Sequence, residues 1–148
     1  MAKVTRLGSI DLAALEGLRA EARREGFRFV ERFCDEWRSG VNRFSQAGEA
    51  LFAAFEDGQI VGICGLNRDP YVAGRRIGRV RRLYVVPTRR GKSIGQQLLA
   101  AVTEHALTHF DVLRVRSETA GDFFTRHGFS VVEFQSDATH VLELKKGA

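Results

Sequence analysis

The sequence predicts a mixed α/β fold in which an antiparallel meander of strands is followed by a long helix. Two apolar strands, Ala50 to Glu56 and Gln59 to Leu66, flank Asp57-Gly58, a strong signal for a two-residue hairpin turn. A third strand, Ile77 to Val86, ends at Pro87, which lacks the N–H that a sheet requires. Apolar residues then recur at helical spacing, at Ile94, Leu98, Ala101 and Val102.

The segment before the meander is predicted to form a short strand, Lys3 to Leu7, and two helices. Ser9 or Asp11 can cap the first helix, and Gly26 interrupts the pattern. The second helix, which carries several phenylalanines and Trp37, is predicted to end near Gly40.

The segment after the long helix continues the alternation of strands and helices. Val112 to Arg116 reads as a strand, and a short helix follows that Thr119 can cap and Gly128 can end in the left-handed conformation. Ser130 to Phe134 and Thr139 to Leu144 complete the chain as a closing hairpin. At 148 residues, positions 1–148 are expected to form one domain.

Composition excludes several classes of protein. The chain is 44% hydrophobic and 28% charged, and it has no run of about 18 apolar residues that could span a membrane. Its first residues lack the apolar core of a signal peptide. Cys34 and Cys64 match no metal or redox spacing. We therefore expect a cytoplasmic protein with two reduced thiols, no bound metal and no membrane partner.

Positive charge is concentrated in one part of the chain. Residues 68–92 contain nine Arg or Lys residues and one acid, for a net charge of 9 − 1 = +8, whereas the remainder carries 14 − 17 = −3. The upstream arginines of this segment could be solvated, bind a distal phosphate or attract an acidic acceptor. A nucleic-acid partner is the less favoured interpretation, because the rest of the chain is acidic and aromatic residues do not alternate with the basic ones.

The loop between the third strand and the long helix has the features of a phosphate site. Arg89, Arg90, Gly91 and Lys92 precede a helix start, where several N–H groups lack partners and the helix dipole is positive. Gly91 and Gly95 would let a ligand approach the backbone. The alternative interpretation is a plain strand–turn–helix connection with solvated arginines.

Arg90-Gly91-Lys92-Ser93-Ile94-Gly95 resembles the Arg/Gln-x-x-Gly-x-Gly/Ala signature of the GNAT superfamily of N-acetyltransferases, and the preceding Leu83-Tyr84-Val85 strand is similar as well. The resemblance implies a mostly antiparallel sheet with one splayed parallel strand pair. It also implies that the loop binds the pyrophosphate of acetyl-coenzyme A (acetyl-CoA). Ser93 stands where a glycine is usual, and its spacing to Gln96 suits a capping box.

Residues 117–129 resemble a second motif of the family, Asn-x-x-Ala-x-x-Phe-Tyr-x-x-x-Gly-Phe. Ser117 takes the asparagine position, and Phe124 takes the position of a tyrosine that protonates the departing thiolate in many members. The resemblance further implies that pantetheine bonds to the backbone of the splayed strand, where the N–H of Val85 would be an oxyanion donor. The implied cofactor-binding residues are Leu83, Tyr84, Val85, Arg90, Gly91, Lys92, Ser93, Ile94, Gly95, Gln96, Ser117, Phe123 and Phe124.

The expected reaction is direct attack of a primary amine on the thioester, and it leaves the proton-transfer groups open. Many family members carry a glutamate on the strand before Leu83, where this chain has only basic and apolar residues. Glu118, Asp137 and His140 are candidates. Each has a plainer role as well: a charge near a helix start, a turn residue or a surface residue.

The acceptor amine could be a small molecule or a protein. Candidate pocket residues are Arg28, Trp37, Asn67 and Arg68, although Trp37 is also an ordinary core residue. The main competing hypothesis is a catalytically silent module that binds an acyl-CoA. Oligomeric state stays open, with a homodimer as one possibility.

Overall fold

A mixed sheet forms the centre of the computed structural model, which describes residues 2–72, 75–133, 135 and 137–144. The strands that pair within these residues are β1 (Lys3–Arg6), β2 (Ala50–Glu56), β3 (Gln59–Arg68), β4 (Ile77–Val85), β5 (Val112–Val115), β6 (Ser130–Val131) and β7 (His140–Glu143). They lie in the order β1-β2-β3-β4-β5-β7-β6. Every neighbouring pair is antiparallel except β4 and β5, which are parallel. The predicted fold class is therefore confirmed.

The predicted hairpin between β2 and β3 is present. Asp57 and Gly58 both have positive φ, at +53° and +77°, as a type I′ turn requires. Glycine adopts this conformation without steric cost, and aspartate is one of the few other residues that tolerate it.

Four α-helices lie within the described residues: α1 (Glu16–Arg24), α2 (Phe29–Ser39), α3 (Ile94–Ala106) and α4 (Gly121–Arg126). Asp11 caps the 3₁₀ turn that leads into α1 by accepting a hydrogen bond from the N–H of Ala13 at 3.0 Å. Gly40 ends α2 with a φ of +82°, as predicted. None of these helices has both the length and the apolar character that a membrane crossing requires.

The predicted cap of α4 is wrong. The helix begins at Gly121, so that Ala120 rather than Thr119 occupies the cap position. The Ser117 hydroxyl instead accepts a hydrogen bond from the N–H of Ala120 at 2.9 Å. Gly128, at a φ of +93°, does take the left-handed conformation after this helix.

Helices cover both faces of the sheet. A side chain at Gly62 would meet Leu98 of α3, whereas a side chain at Gly65 would collide with the Phe44 ring that follows α2. Because residues three apart on a strand point to opposite faces, α3 lies on one side and the α2 region on the other. The core between them includes Phe33, Ile63 and Leu98, each at most 1% exposed.

Candidate functional site

The parallel pair β4 and β5 is joined over only part of its length. Pairing runs from Ile77 opposite Val112 to Arg79 opposite Arg114. Beyond that point β4 continues for six residues without β5 beside it in the register, so that one edge of β4 opens toward the solvent. This is the splayed geometry that the family resemblance implied.

A bulge in β4 lies at the start of this opening. Arg81 is opposite Gly65 and Tyr84 is opposite Ile63, which leaves Arg82 and Leu83 together opposite a single residue of β3. Arg82 has a φ of +62°, a conformation that a long L-side chain rarely adopts. A bulge bends its strand and increases the local twist, which gives a physical reason for β4 to leave β5 here.

The backbone of Val85 faces the opening. The N–H of the next residue, Val86, donates to the carbonyl of Val61 on β3 at 2.9 Å. Because backbone groups of successive residues alternate between the two edges of a strand, the N–H and C=O of Val85 point away from β3. The Nε of Arg90 donates to that carbonyl at 3.0 Å, which agrees with this direction.

A cleft of about 1740 Å³ occupies the opening. Pockets for one small ligand usually measure about 300–1,000 Å³, so this cleft has room for two reactants. Its walls are β4, the end of β5, the start of α3, α4 and the segment between α1 and α2. Of the predicted cofactor-binding residues, only Lys92 does not line it; those that do are Leu83, Tyr84, Val85, Arg90, Gly91, Ser93, Ile94, Gly95, Gln96, Ser117, Phe123 and Phe124.

The N-terminus of α3 meets this cleft without a cap. Ser93 occupies the cap position with a φ of +66°, and its side chain makes no capping hydrogen bond. The predicted capping box is therefore wrong, because a cap residue that bonds to the helix normally has an extended backbone. No acidic residue lies in the first turn, and Gly91 beside it has a φ of +78° with open space around it. These free N–H groups fit a pyrophosphate.

Arg90 is held by the carboxylate of Glu25, the residue that follows α1. Its guanidinium forms a two-point contact with Glu25 at 2.8 and 2.6 Å, and the Tyr84 hydroxyl donates to the same carboxylate at 2.5 Å. The hydrogen bond from Arg90 lowers the pKa of Glu25. Burial, followed by the bond to Glu25, raises the pKa of Tyr84. At neutral pH Glu25 is therefore charged and Tyr84 is protonated.

The three predicted proton-transfer candidates lie in different environments. Glu118 lines the cleft, but its side chain is 75% exposed and pairs with Arg116 at 3.1 Å. Asp137 also lines the cleft, and its bond to Arg114 at 2.9 Å lowers its pKa. His140 does not line the cleft, and it is 5% exposed rather than a surface residue. Its Nδ1 lies 2.8 Å from the Thr139 hydroxyl.

Phe124 is buried in an aromatic cluster at the edge of the cleft. It is 2% exposed and packs edge-on against Phe129, with ring centroids 5.2 Å apart. It provides an apolar wall and has no proton to donate.

None of the four predicted acceptor residues lines the cleft. Arg28 is exposed outside it, and Arg68 lines a separate cavity of about 400 Å³. Trp37 is 8% exposed and packs against Phe33 in the core. Asn67 is 5% exposed because it bonds to Asn42 and to the Glu49 carboxylate. Burial on α2 and β3 turns the side chains of Trp37 and Asn67 away from the opening.

The cleft instead contains basic residues that the prediction did not assign. They include Arg32 on α2 and Arg79, Arg81 and Arg82 on β4, and Tyr71 also lines the cleft. The sequence signal was the group of arginines between residues 75 and 82. Three roles were open for these arginines: solvation, binding of a distal phosphate, and attraction of an acidic acceptor.

Comparison with known proteins agrees with this geometry. The GNAT acetyltransferase domain model matches residues 47–131, which is more than half of the chain. The chain belongs to the GNAT acetyltransferase family. Acyl transfer is therefore its class of reaction. A search of curated proteins gives no significant match.

Solved structures of this family share the fold. A protein from Exiguobacterium sp. 255-15, provisionally named an acetyltransferase, is 30% identical, with a TM-score of 0.86 over 97% of this chain and 93% of that one. A GNAT-family N-acetyltransferase from Escherichia coli in complex with CoA is 18% identical, with a TM-score of 0.72 over 97% and 82% of the two chains. N-acetylglutamate synthase from Neisseria gonorrhoeae, complexed with CoA and N-acetyl-glutamate, is 17% identical, with a TM-score of 0.69 over 99% and 36%.

Proposed function

We propose that the protein is an N-acetyltransferase that moves the acetyl group of acetyl-CoA to a primary amine. The observation that carries this proposal is the meeting of two features in one cleft. The uncapped start of α3 offers N–H groups to phosphate, and the unpaired edge of β4 offers the backbone of Val85 nearby.

The donor side of the cleft suits a CoA thioester. Free N–H groups at the start of a 13-residue helix attract a pyrophosphate, and Gly91 and Gly95 keep the approach open. The CoA-bound neighbours from Escherichia coli and Neisseria gonorrhoeae have the same fold and support this placement. Acetyl-CoA would supply an activated acyl group as its thioester.

The backbone of β4 would contribute electrostatic stabilisation. The N–H of Val85 faces the opening and can donate to a carbonyl oxygen on which negative charge develops. Because this N–H is fixed in a sheet, it needs no reorganisation during the reaction. We expect much of the rate enhancement to come from this N–H and from the positioning of the two reactants.

Neither of the two predicted carboxylates that line the cleft is a strong candidate for the general base. Asp137 has a lowered pKa because of Arg114, and Glu118 is exposed and paired. We infer that the acceptor enters as the neutral amine and that solvent takes its proton. Phe124 cannot protonate the departing thiolate, but a thiol with a pKa of about 8.5 is a fair leaving group in water.

The test is an acetylation assay with acetyl-CoA and a panel of amines, read by release of free thiol and by the mass of the product. We expect stoichiometric thiol release and one added acetyl group on at least one amine. A protein that binds CoA but acetylates no amine would contradict the proposal and favour the silent acyl-CoA-binding module.

A further inference from the structure

We propose that the acceptor amine carries an oxyanion, a carboxylate or a phosphate, and that Arg81 binds it. This inference rests on the proposed acetyltransferase function and names the substrate class of the same cleft. Three observations support it: which arginines of the cleft already pair with a carboxylate of the protein, where Arg81 lies along β4, and how far its side chain is buried.

Most arginines of the cleft are already neutralised by carboxylates of the protein. Five of them pair at 2.6–3.4 Å: Arg79 with Asp69, Arg82 with Glu36, Arg89 with Glu56, Arg90 with Glu25 and Arg116 with Glu118. An ion pair of this kind leaves little net charge with which to attract a ligand.

Arg81 differs from these five. Within the described part of the chain its guanidinium has no hydrogen bond and no ion pair, although it is only partly exposed. Burial, followed by the neighbouring charge of Arg82, lowers its pKa. The carboxylate that faces it, on Glu36, already accepts from Arg82 at 2.8 Å. A partly desolvated cation without an anion is unfavourable, and a bound oxyanion would relieve that cost.

Two further donors lie in the same part of the cleft. Arg32, also without a described side-chain partner, is one turn before Glu36 on α2 and therefore shares its face. The Nε of Arg82 is buried and has no acceptor among the described residues. An oxyanion at this position could thus accept from more than one guanidinium.

The position of Arg81 separates this site from the phosphate site of the donor. Arg81 precedes Val85 by four residues on β4, a separation of at most about 13 Å because the bulge at Arg82 and Leu83 shortens the strand, whereas α3 begins after Val85. The proposed donor phosphates and Arg81 therefore lie on opposite sides of the reacting position. An anion bound at Arg81 belongs to the other reactant, which is the amine.

The experiment compares amines in matched pairs that differ in one oxyanion. β-Alanine is paired with β-alaninamide to test the carboxylate, and O-phosphoethanolamine with ethanolamine to test the phosphate. Values of kcat/KM are measured at constant ionic strength for the wild type and Arg81→Gln. Arg38→Gln is the control, because Arg38 is exposed on α2, outside the cleft.

We expect the charged member of at least one pair to be favoured at least tenfold by the wild type. Arg81→Gln should lose most of that preference through a higher KM, with less than a threefold change for the neutral member. Arg38→Gln should keep it. Equal use of both members, or an equal loss for both in Arg81→Gln, would overturn the proposal.

A binding measurement separates this inference from the proposed function. If the protein binds CoA but acetylates no amine, the function fails while the anion site can still be tested. Calorimetric titration of the CoA complex with glutarate and with inorganic phosphate should then give heat in the wild type that Arg81→Gln lacks. Absence of binding by both anions would overturn the inference itself.

Discussion

The guanidinium of Arg90 donates two hydrogen bonds to the carboxylate of Glu25, with Nη1 2.8 Å from Oε2 and Nη2 2.6 Å from Oε1. Arg90 is the first residue of the signature loop, and Glu25 follows the last turn of α1. The contact ties the proposed phosphate loop to the helix pair on the other side of the cleft. It also places a negative charge beside the arginine that the donor phosphates would meet.

Glu25→Gln should tighten the binding of CoA. The substitution removes the carboxylate that competes with phosphate for Arg90 but keeps the shape of the side chain. Because Arg90 is 45% exposed, the gain should be small, a two- to fivefold lower Kd. Glu21→Gln on the same helix is the matched control. Weaker binding in Glu25→Gln would mean that Glu25 positions Arg90 for the phosphates.

Acid should destabilise the protein through Glu31. Glu31 accepts from Arg19 at 3.1 and 2.9 Å and from Arg23 at 2.7 Å, which joins α1 to α2. The bond to Arg19 lowers the pKa of Glu31 from its ordinary value. A lowered pKa contributes stability that is complete above the unfolded value and is lost as the pH falls through the folded one.

Glu31→Gln should therefore lower the free energy of unfolding by about 1 kcal/mol at pH 7. Below about pH 4.5, the stability of this variant should fall less with decreasing pH than that of the wild type. Chemical denaturation at a series of pH values measures both effects. If the stability of this variant falls as steeply at low pH as that of the wild type, Glu31 is not responsible for the acid destabilisation.

Asp69→Asn should be the most destabilising of these substitutions. The Asp69 side chain is 0% exposed and accepts from Arg114 at 3.0 Å and from Arg79 at 3.4 Å. Removing its charge leaves the buried guanidinium of Arg79 without a carboxylate among the described residues and leaves Arg114 with Asp137 alone, a loss of about 3–5 kcal/mol. Asp137→Asn should destabilise the protein less than Asp69→Asn, because the Asp137 side chain is 25% exposed and water screens its bond to Arg114. Similar losses for the two variants, measured by urea denaturation, would argue against a buried ion network.

The pH dependence of acetylation should follow the acceptor rather than the enzyme. If the amine reacts in its neutral form with no enzymic base, kcat/KM rises with pH up to the pKa of that amine. For two acceptors whose amine pKa values differ by about one unit, the inflection points of kcat/KM against pH should also differ by about one pH unit. Glu118→Gln should leave both profiles within twofold. A common inflection for both acceptors would reveal an enzymic base.

Elements defined by local signals were predictable from the sequence. The Asp57-Gly58 turn, the end of α2 at Gly40 and the apolar face of α3 each depend on residues close together in the chain, and each is present. The parallel pairing of β4 with β5 came instead from the family resemblance, because no local pattern sets it.

Features that depend on distant partners were not predictable. The left-handed backbone of Ser93 excludes the capping geometry that its spacing to Gln96 suggested. Asn67 is turned inward by its bond to Glu49 from a neighbouring segment and does not line the cleft. The one arginine of the β4 cluster without a partner, within the described residues, could be recognised only after the carboxylates of the other arginines were located.

The most direct test of the account compares Gly95→Asp with Gly95→Ala by thermal unfolding with and without acetyl-CoA. A Cβ at Gly95 would lie 3.5 Å from the Phe123 ring, an ordinary contact, so that alanine should fit. An aspartate in the first turn favours the helix dipole, and the ligand-free variant should therefore stay folded.

Acetyl-CoA at about 100 times its Kd should add about 2.7 kcal/mol to the wild type, a rise in Tm of roughly 5–10 °C. Gly95→Ala should keep most of that rise, and Gly95→Asp should lose it because a carboxylate faces the phosphates. An equal rise in Gly95→Asp, or none in the folded wild type, would contradict phosphate binding at the start of α3.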